Sequence, residues 1–170
     1  MMAVRRLLIV LEDDAEARLL CCDHTQSPAT ASLSLQTIEI FAGDRACFDL
    51  YDLEETAGAT SRLSSLYLHA GADANILLDG ITLFNGMTRN EYHCTLSAPG
   101  SSLRLLGMGI EDEVRLLDNL THIRHEAPRC HSDELMKYVV ADEATGVFCG
   151  RIYVAPGAEK TEAYQSNRNM

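Results

Sequence analysis

Apolar and polar residues alternate along most of this chain, in short runs that end at turn-forming residues. Alternation with a period of two places successive side chains on opposite faces of a strand, whereas helical periodicity is scarce. These runs predict eleven strands, at 4–11, 17–22, 36–41, 46–53, 62–70, 75–83, 90–96, 102–108, 113–122, 135–140 and 146–154. The sequence therefore predicts an all-β protein with little helix.

Short turn sequences separate the predicted strands. Glycine, asparagine and aspartate are frequent in them, at 12–14, 42–44, 70–73, 85–86 and 99–101. A strand about every 10 to 15 residues fits a sandwich, a barrel or a parallel β-helix. Short separators and small corner residues favour stacked coils, and the lack of a strict hexapeptide repeat makes any β-helix irregular. The pattern alone leaves the three architectures open.

Two segments allow more than one structure. Residues 132–137 could begin a helix capped by Ser132, or could run directly into a strand at 138–140. The polar tail at 160–170 has the composition of a disordered terminus, but its Asn and Gln side chains could also stack as ladders in a β-helix coil.

The N-terminal segment superficially resembles a signal peptide, with Arg5 and Arg6 before an apolar run at 7–11. That run is too short for a signal and an acidic turn follows at once, so we predict a buried strand. No segment approaches the ~20 apolar residues of a membrane span. We therefore expect a cytoplasmic protein.

The composition narrows the functional classes. A chain of 170 residues with 46% hydrophobic residues can bury the core of a single domain. Its net charge of −11 would repel the phosphate backbone of nucleic acids and anionic membrane surfaces. We expect neither nucleic acid nor membrane as a partner.

The six cysteines are expected to be reduced thiols, and no CxxC pair occurs. Four potential ligands, His122, His125, Cys130 and His131, lie close together, but their spacing matches no closed zinc motif. In a strand, His122 and His125 would point to opposite faces. A turn at Pro128 with solvated polar side chains is the simpler interpretation, and a small metal-binding module is the alternative.

Acidic residues and nucleophiles are the candidate catalytic groups of the chain. The acidic groups at 111–113, 133–134 and 142–143 could serve a β-helical carbohydrate-active enzyme, although solvated turns explain them equally simply. The chain has no tryptophan for a sugar platform. His93 and Cys94 would lie on opposite faces of a strand, and neither GxSxG nor a phosphate-binding loop is present. We predict no catalytic residue and no enzyme.

An ordered series of residues spans 125–169, namely His125, Pro128, Cys130, Ser132, Glu134, Leu135, Lys137, Gly146, Val147, Phe148, Gly150, Ile152, Val154, Ala158, Lys160, Thr161, Ala163, Tyr164, Gln165, Asn167 and Asn169. In order and spacing this series resembles the core domain of the SufB/SufD family of iron–sulfur cluster assembly proteins, and it is more similar to SufD. The resemblance implies a right-handed parallel β-helix. It also implies a scaffold without enzymatic activity that contacts a SufB-like protein and the SufC ATPase.

The resemblance further implies that residues 1–170 form a single core domain. Family members continue into further coils with a Cys-Ser-His-Gly segment and a C-terminal ATPase-docking region, and longer members have N-terminal helices. Because those parts are missing, we carry over no catalytic or cluster-binding residue. His125 and Cys130 match family positions and are the candidate metal ligands. We expect no cofactor in this chain itself, and an iron–sulfur cluster only in complex with partners.

The chain departs from the family pattern at Tyr138, Cys149 and Glu159, where glycine, asparagine and glutamine are usual. A β-helix that ends at a coil also leaves unpaired backbone groups at its edge. We expect this edge to be covered by the tail or by a second copy of the chain, as a homodimer.

Overall fold

The computed structural model describes residues 1–25 and 31–170, which are built from strands and short corners and contain no helix. The strands are β1 (Met2–Leu11), β2 (Glu16–His24), β3 (Ser32–Ala42), β4 (Cys47–Glu55), β5 (Thr60–Ala70), β6 (Asn75–Phe84), β7 (Met87–Leu96), β8 (Ser102–Glu111), β9 (Leu116–His125), β10 (His131–Val140), β11 (Thr145–Val154) and β12 (Glu162–Asn169). No helix in this described part could cross a membrane.

The chain winds between two parallel sheets. The odd-numbered strands form one six-stranded sheet in the order β1-β3-β5-β7-β9-β11, and the even-numbered strands form the other. Each turn therefore contributes one strand to each sheet, which is the architecture of a parallel β-helix, as predicted. Its coils are irregular, because Ser61 pairs with Met87 after 26 residues whereas Met2 pairs with Leu33 after 31.

The core lies between the two sheets, in the lumen of the β-helix. Inward positions alternate with outward ones, so that Leu66, Leu68 and Ala70 of β5 are buried while the residues between them are more exposed. Ile40, Phe48 and other large apolar side chains fill the middle coils. Burial of each such side chain contributes roughly 1.5–3 kcal/mol to the hydrophobic term.

The corner from the odd-numbered to the even-numbered sheet repeats one backbone conformation. A residue with positive φ occurs there in every coil, at Asp14, Arg45, Asp73, Gly100, Arg129 and Lys160. The amides of the first five donate to carbonyls of the next coil, for example Arg45 N to Ala72 O at 2.7 Å and Arg129 N to Glu159 O at 2.9 Å. The backbone ladder thus continues around the corner and keeps the coils in register.

All eleven predicted strands are present, and most are longer than predicted. The helix considered at 132–137 is wrong, because these residues lie in β10 and pair with β8 and β12. The tail forms β12, which the strand prediction omitted. β1 is an edge strand in which only Leu11 is buried, so the expected buried strand is exposed over most of its length, while its acidic turn is confirmed.

Candidate functional site

The four clustered histidine and cysteine residues do not converge. His122 lies on the outer face of β9, with its ring centroid 6.4 Å from that of His93. His125, at the end of the same strand, is fully buried in the lumen, and Cys130 is buried in the following corner. His131 is on the outer face of β10, 3.6 Å from Glu162. In residues 1–25 and 31–170, no group of three or more His, Cys, Asp or Glu side chains is placed to hold a metal ion.

His125 contacts the strand that follows it. Its Nε2 lies 2.9 Å from Oγ of Ser132 on β10, while its buried Nδ1 has no partner among the described residues. Burial lowers the pKa of the His125 imidazole, and the charge of His131 lowers it further. A neutral His125 therefore joins two consecutive strands across a corner.

Cys130 has hydrogen-bond partners of its own in the corner between β9 and β10. Its Sγ donates to the carbonyl oxygen of Ala127 at 3.2 Å and lies 3.4 Å from that of Ala98 in the neighbouring coil. Oγ of Ser101 is 3.3 Å away. These contacts make the Cys130 side chain part of the hydrogen bonding of the corner itself.

The neighbouring coils explain why a thiol is found at this position. Ser101 Oγ donates to Ala98 O at 2.9 Å, and Thr161 Oγ1 donates to Ala158 O at 3.0 Å, each to the carbonyl three residues earlier, as Cys130 does. Three earlier corners have alanine at the equivalent position, namely Ala15, Ala46 and Ala74. The backbone amide of each alanine donates to the carbonyl oxygen three residues earlier. Cys130 thus belongs to a stacked column of small corner residues. Metal ligation by His125 or Cys130 stays a prediction.

Glu134 of β10 is fully buried in the lumen, as His125 is. Its Oε2 accepts a hydrogen bond from Nε2 of Gln165 at 2.7 Å, and its buried Oε1 has no partner among the described residues. Burial raises the pKa of the Glu134 carboxyl, and the hydrogen bond from Gln165 opposes this. Burial raises the pKa of the Cys94 thiol, and the charge of Glu134 adds to the effect.

A second polar cluster occupies the lumen around Arg62 of β5, whose side chain is only 2% exposed. Its Nη2 lies 2.6 Å from Oδ2 of Asp52, its Nε lies 3.1 Å from Oδ2 of Asp23, and its Nη1 donates to Oδ1 of Asn90 at 3.1 Å. Burial alone would lower the pKa of the Arg62 guanidinium, but the carboxylates of Asp52 and Glu54 raise it. This is a buried ion network.

A line of amide side chains extends from this network along the lumen. Asn90 donates through Nδ2 to Oδ1 of its register partner Asn119 at 2.9 Å, and Nδ2 of Asn119 donates to the hydroxyl of Tyr138 at 2.7 Å. Burial raises the pKa of Tyr138 to about 12, and the Asn119 hydrogen bond opposes this. Asparagine ladders, considered for the tail, therefore occur inside the middle coils.

The acidic groups occupy different environments. Asp142 and Glu143 lie in an exposed corner, as expected for solvated turns, but Glu111 and Glu134 are buried, so that expectation is wrong for them. Neither carboxyl oxygen of Glu111 has a partner among the described residues. Burial raises the pKa of Glu111 to about 7, and the charge of Glu54 adds to this while Arg115 opposes it. These acids do not share one open groove.

Sequence reasoning missed Arg62 and Glu54 as lumen residues, and the exposed Gln165 as the partner of Glu134. The alternation of buried and exposed positions along β5 indicates an inward orientation for Arg62, because Arg62 is in phase with the buried Leu66 and Leu68. In the same way Glu134 is in phase with the buried Met136. The expected opposite orientations of His93 and Cys94 are confirmed, since only Cys94 is buried.

Two comparisons with known proteins agree on one family. The model of the SufBD core domain, described as SUF system FeS cluster assembly, matches residues 1–170. The iron–sulfur cluster assembly protein SufD of Escherichia coli (strain K12) is 32% identical over 100 residues, which is 58% of this chain and 23% of that protein.

Two further relatives are iron–sulfur cluster assembly SufBD family proteins. One, from Synechocystis sp. (strain ATCC 27184 / PCC 6803 / Kazusa), is 22% identical over 174 aligned positions, 97% of this chain and 38% of that protein. The other, from Mycobacterium leprae (strain TN), is 27% identical over 115 positions, 64% of this chain and 29% of that protein. The matched part of the chain thus spans well under half the length of each curated relative.

Proposed function

The chain belongs to the SufBD core domain family of the SUF iron–sulfur cluster assembly system, and we propose that it acts there as a scaffold without catalytic activity. The observation that carries this proposal is the match of the family model to residues 1–170, together with a parallel β-helix over the same length. The polar groups of the lumen bond mainly to one another, which suits a rigid scaffold.

Contact with other proteins would be the means of action. The resemblance to SufD favours a SufB-like protein as the direct partner and a SufC-like ATPase as the second. The sheets of a β-helix present broad outer faces and edge strands, and both kinds of surface serve in protein–protein recognition. We place this complex in the cytoplasm, where six free cysteines would stay reduced.

The iron–sulfur cluster would be cargo of the complex rather than a resident cofactor of this chain. Thiolates are the usual ligands of such clusters. The cysteines of this chain do not converge, because even the adjacent Cys21 and Cys22 of β2 point to opposite faces of the strand. Cys94 and Cys130 are buried at different places in the lumen and corner, whereas Cys22, Cys47 and Cys149 are exposed on different strands. Assembly on shared surfaces of several proteins would remove the need for a complete ligand set here.

Co-purification tests the proposal. The tagged 170-residue chain is expressed with the SufB-like and SufC-like proteins of the same organism, and an unrelated acidic β-helical protein of similar size is the control bait. We expect the chain to retain the SufB-like protein, and the SufC-like protein through it. Retention of neither by a chain whose circular dichroism spectrum shows folded β structure would contradict the proposal.

A further inference from the structure

Two adjacent rows of side chains cross the outer face of the odd-numbered sheet, along the axis of the β-helix. Parallel register places the residues of successive coils side by side in each row. One row begins at Leu8 on β1 and ends at Arg151 on β11, and the other begins at Val10 and ends at Tyr153. These two rows are here called the ladder face.

The rings in the middle of the ladder face hold one another in place. Tyr67 and His93 are register partners, and their rings stack with centroids 4.9 Å apart and planes 11° apart. Phe41 and His69 stack in the adjacent row, with centroids 5.3 Å apart. Side chains that are already fixed lose little rotamer freedom when a partner binds, so contacts with them cost less entropy.

The ladder face is apolar at its β1 end. Val10 is 66% exposed, Phe41 on β3 is 45% exposed, and Leu8 is exposed as well. The one acid of the two rows, Glu39, pairs with Arg6 at 2.7 Å and so adds no net charge to this end. Exposed apolar surface of this kind marks interaction sites in soluble proteins.

The opposite end of the ladder face is basic. Arg124 on β9 and Arg151 on β11 are both exposed. Arg124 pairs with Glu126 at 2.6 Å, whereas Arg151 forms no ion pair with any residue that the structure describes. Burial lowers the pKa of His122, and the charges of Arg151, His93 and Arg124 lower it further. His122 and Arg151 therefore lie in a positive local field.

An acidic segment that also carries apolar residues is complementary to both ends of the ladder face. Its carboxylates can each accept two hydrogen bonds from a guanidinium such as that of Arg151. A basic segment would meet Arg151 with like charge. A nucleic acid fits less well, because phosphates that extend beyond the ladder face would be repelled by a protein with a net charge of −11.

We propose that the ladder face is a docking surface for an acidic segment of a partner protein. The apolar residues of that segment lie over Leu8, Val10 and Phe41, and its carboxylates pair with Arg151 and Arg124. Five strand spacings of about 4.8 Å give the surface a length of roughly 24 Å, which matches about 16 residues of α-helix. This inference rests on the scaffold function proposed above, because a scaffold acts through such contacts.

Fluorescence anisotropy with a synthetic peptide and the 170-residue chain tests the proposal. The probe is a fluorescein-labelled peptide of about 16 residues, with Leu and Ala in one half and Glu and Ala in the other. We expect saturable binding that weakens as sodium chloride is added, because salt screens the exposed charges. Peptides with Gln or Lys in place of Glu should bind at least about tenfold more weakly.

Variants of the two ends locate the binding surface. Arg151→Glu should raise the dissociation constant of the Glu peptide at least about tenfold. Its matched control is Arg168→Glu, the same charge change at an exposed arginine on β12, the edge strand of the other sheet. Val10→Ser should weaken binding several-fold, whereas Val114→Ser, at an exposed corner valine, should not. Circular dichroism verifies that each variant is folded.

Several outcomes would overturn the proposal. They are the absence of saturable binding by the Glu peptide, equal affinity for the Glu and Gln peptides, and equal losses in Arg151→Glu and Arg168→Glu. Tighter binding of a fluorescein-labelled single-stranded oligouridylate than of the Glu peptide would assign the surface to a nucleic acid instead. The peptide assay uses neither a SufB-like nor a SufC-like protein, so retention of the SufB-like protein without peptide binding would remove the docking surface and leave the scaffold function standing.

Discussion

Nη2 of Arg62 lies 2.6 Å from Oδ2 of Asp52, inside the lumen of a parallel β-helix where an apolar side chain would be the ordinary choice. Asp23 and Glu54 also lie within 4 Å of the same guanidinium. Arg62 therefore balances carboxylates contributed by β2 and β4. Interior charges of this kind are tolerated only when each has a partner.

Substitution of Arg62 by Met is expected to destabilise the protein strongly. Methionine fills much of the volume but leaves the carboxylates of Asp52 and Asp23 without their buried cation. Removal of one member of a buried ion network typically costs about 3–5 kcal/mol. The free energy of unfolding, from urea denaturation followed by circular dichroism, measures the loss.

The matched control for Arg62→Met is Arg18→Met. Arg18 pairs with Asp49 at 2.8 Å on the surface, where its side chain is 71% exposed. Solvent screens an exposed pair of this kind, so Arg18→Met should lower the free energy of unfolding far less than Arg62→Met does. Equal losses in the two variants would contradict the assignment of Arg62 to a buried network.

Substitution of Cys130 by Ser should be tolerated. A serine hydroxyl can donate to Ala127 O as Ser101 donates to Ala98 O in the preceding coil, so we expect a change within about 1 kcal/mol. Cys130→Val removes the donor and should cost about 1–3 kcal/mol. Thermal and urea unfolding measure both changes, with the exposed Cys149→Ser as a neutral control. A serine variant as unstable as the valine variant would refute the corner role.

The strands and corners of this fold could be predicted from the sequence because both are local. Alternation marked the strands, and residues such as Asp73 and Gly100 marked corners where the backbone needs positive φ. The choice of a β-helix over a sandwich needed the ordered series of residues at 125–169, since all three candidate folds share the same alternation.

The polar lumen could not be predicted in the same way. Rules of alternation assume that inward residues are apolar. Glu134 was therefore predicted in a solvated turn, and Arg62, although placed in a strand, was not predicted to lie inside. β12 lacks apolar alternation altogether and forms because its backbone pairs with β10. Partners of this kind are distant in sequence, and local patterns do not contain them.

The stability of the protein should fall as pH rises from about 4.5 to 7, partly because of Glu111. Its pKa is about 7 in the folded state and near the usual 4.5 when unfolded. Between these values the unfolded state has released a proton that the folded state retains, so rising pH favours unfolding, by at most about 1.4 kcal/mol per pH unit for one site. Urea unfolding across this range should show a shallower slope for Glu111→Gln.

The control for Glu111→Gln is Glu113→Gln in the adjacent corner, where the side chain is 71% exposed. It should leave the pH dependence unchanged. Glu54 and Glu134 also have raised pKa values, so part of the slope should persist in Glu111→Gln. His125 acts in the opposite direction, because its lowered pKa favours folding as pH rises. Identical slopes for wild type and Glu111→Gln would contradict the assignment.

We propose that this chain is a scaffold for iron–sulfur cluster assembly and holds no resident metal of its own. Iron and acid-labile sulfide, measured after anaerobic purification, test it most directly. The samples are the chain alone, its Cys130→Ala variant, and the SufB-like and SufC-like proteins with and without the chain. We predict substoichiometric iron for the chain alone, unchanged in the variant, and more iron and sulfide in the complex that contains the chain. Stoichiometric iron in the chain alone that is lost in Cys130→Ala would contradict the claim.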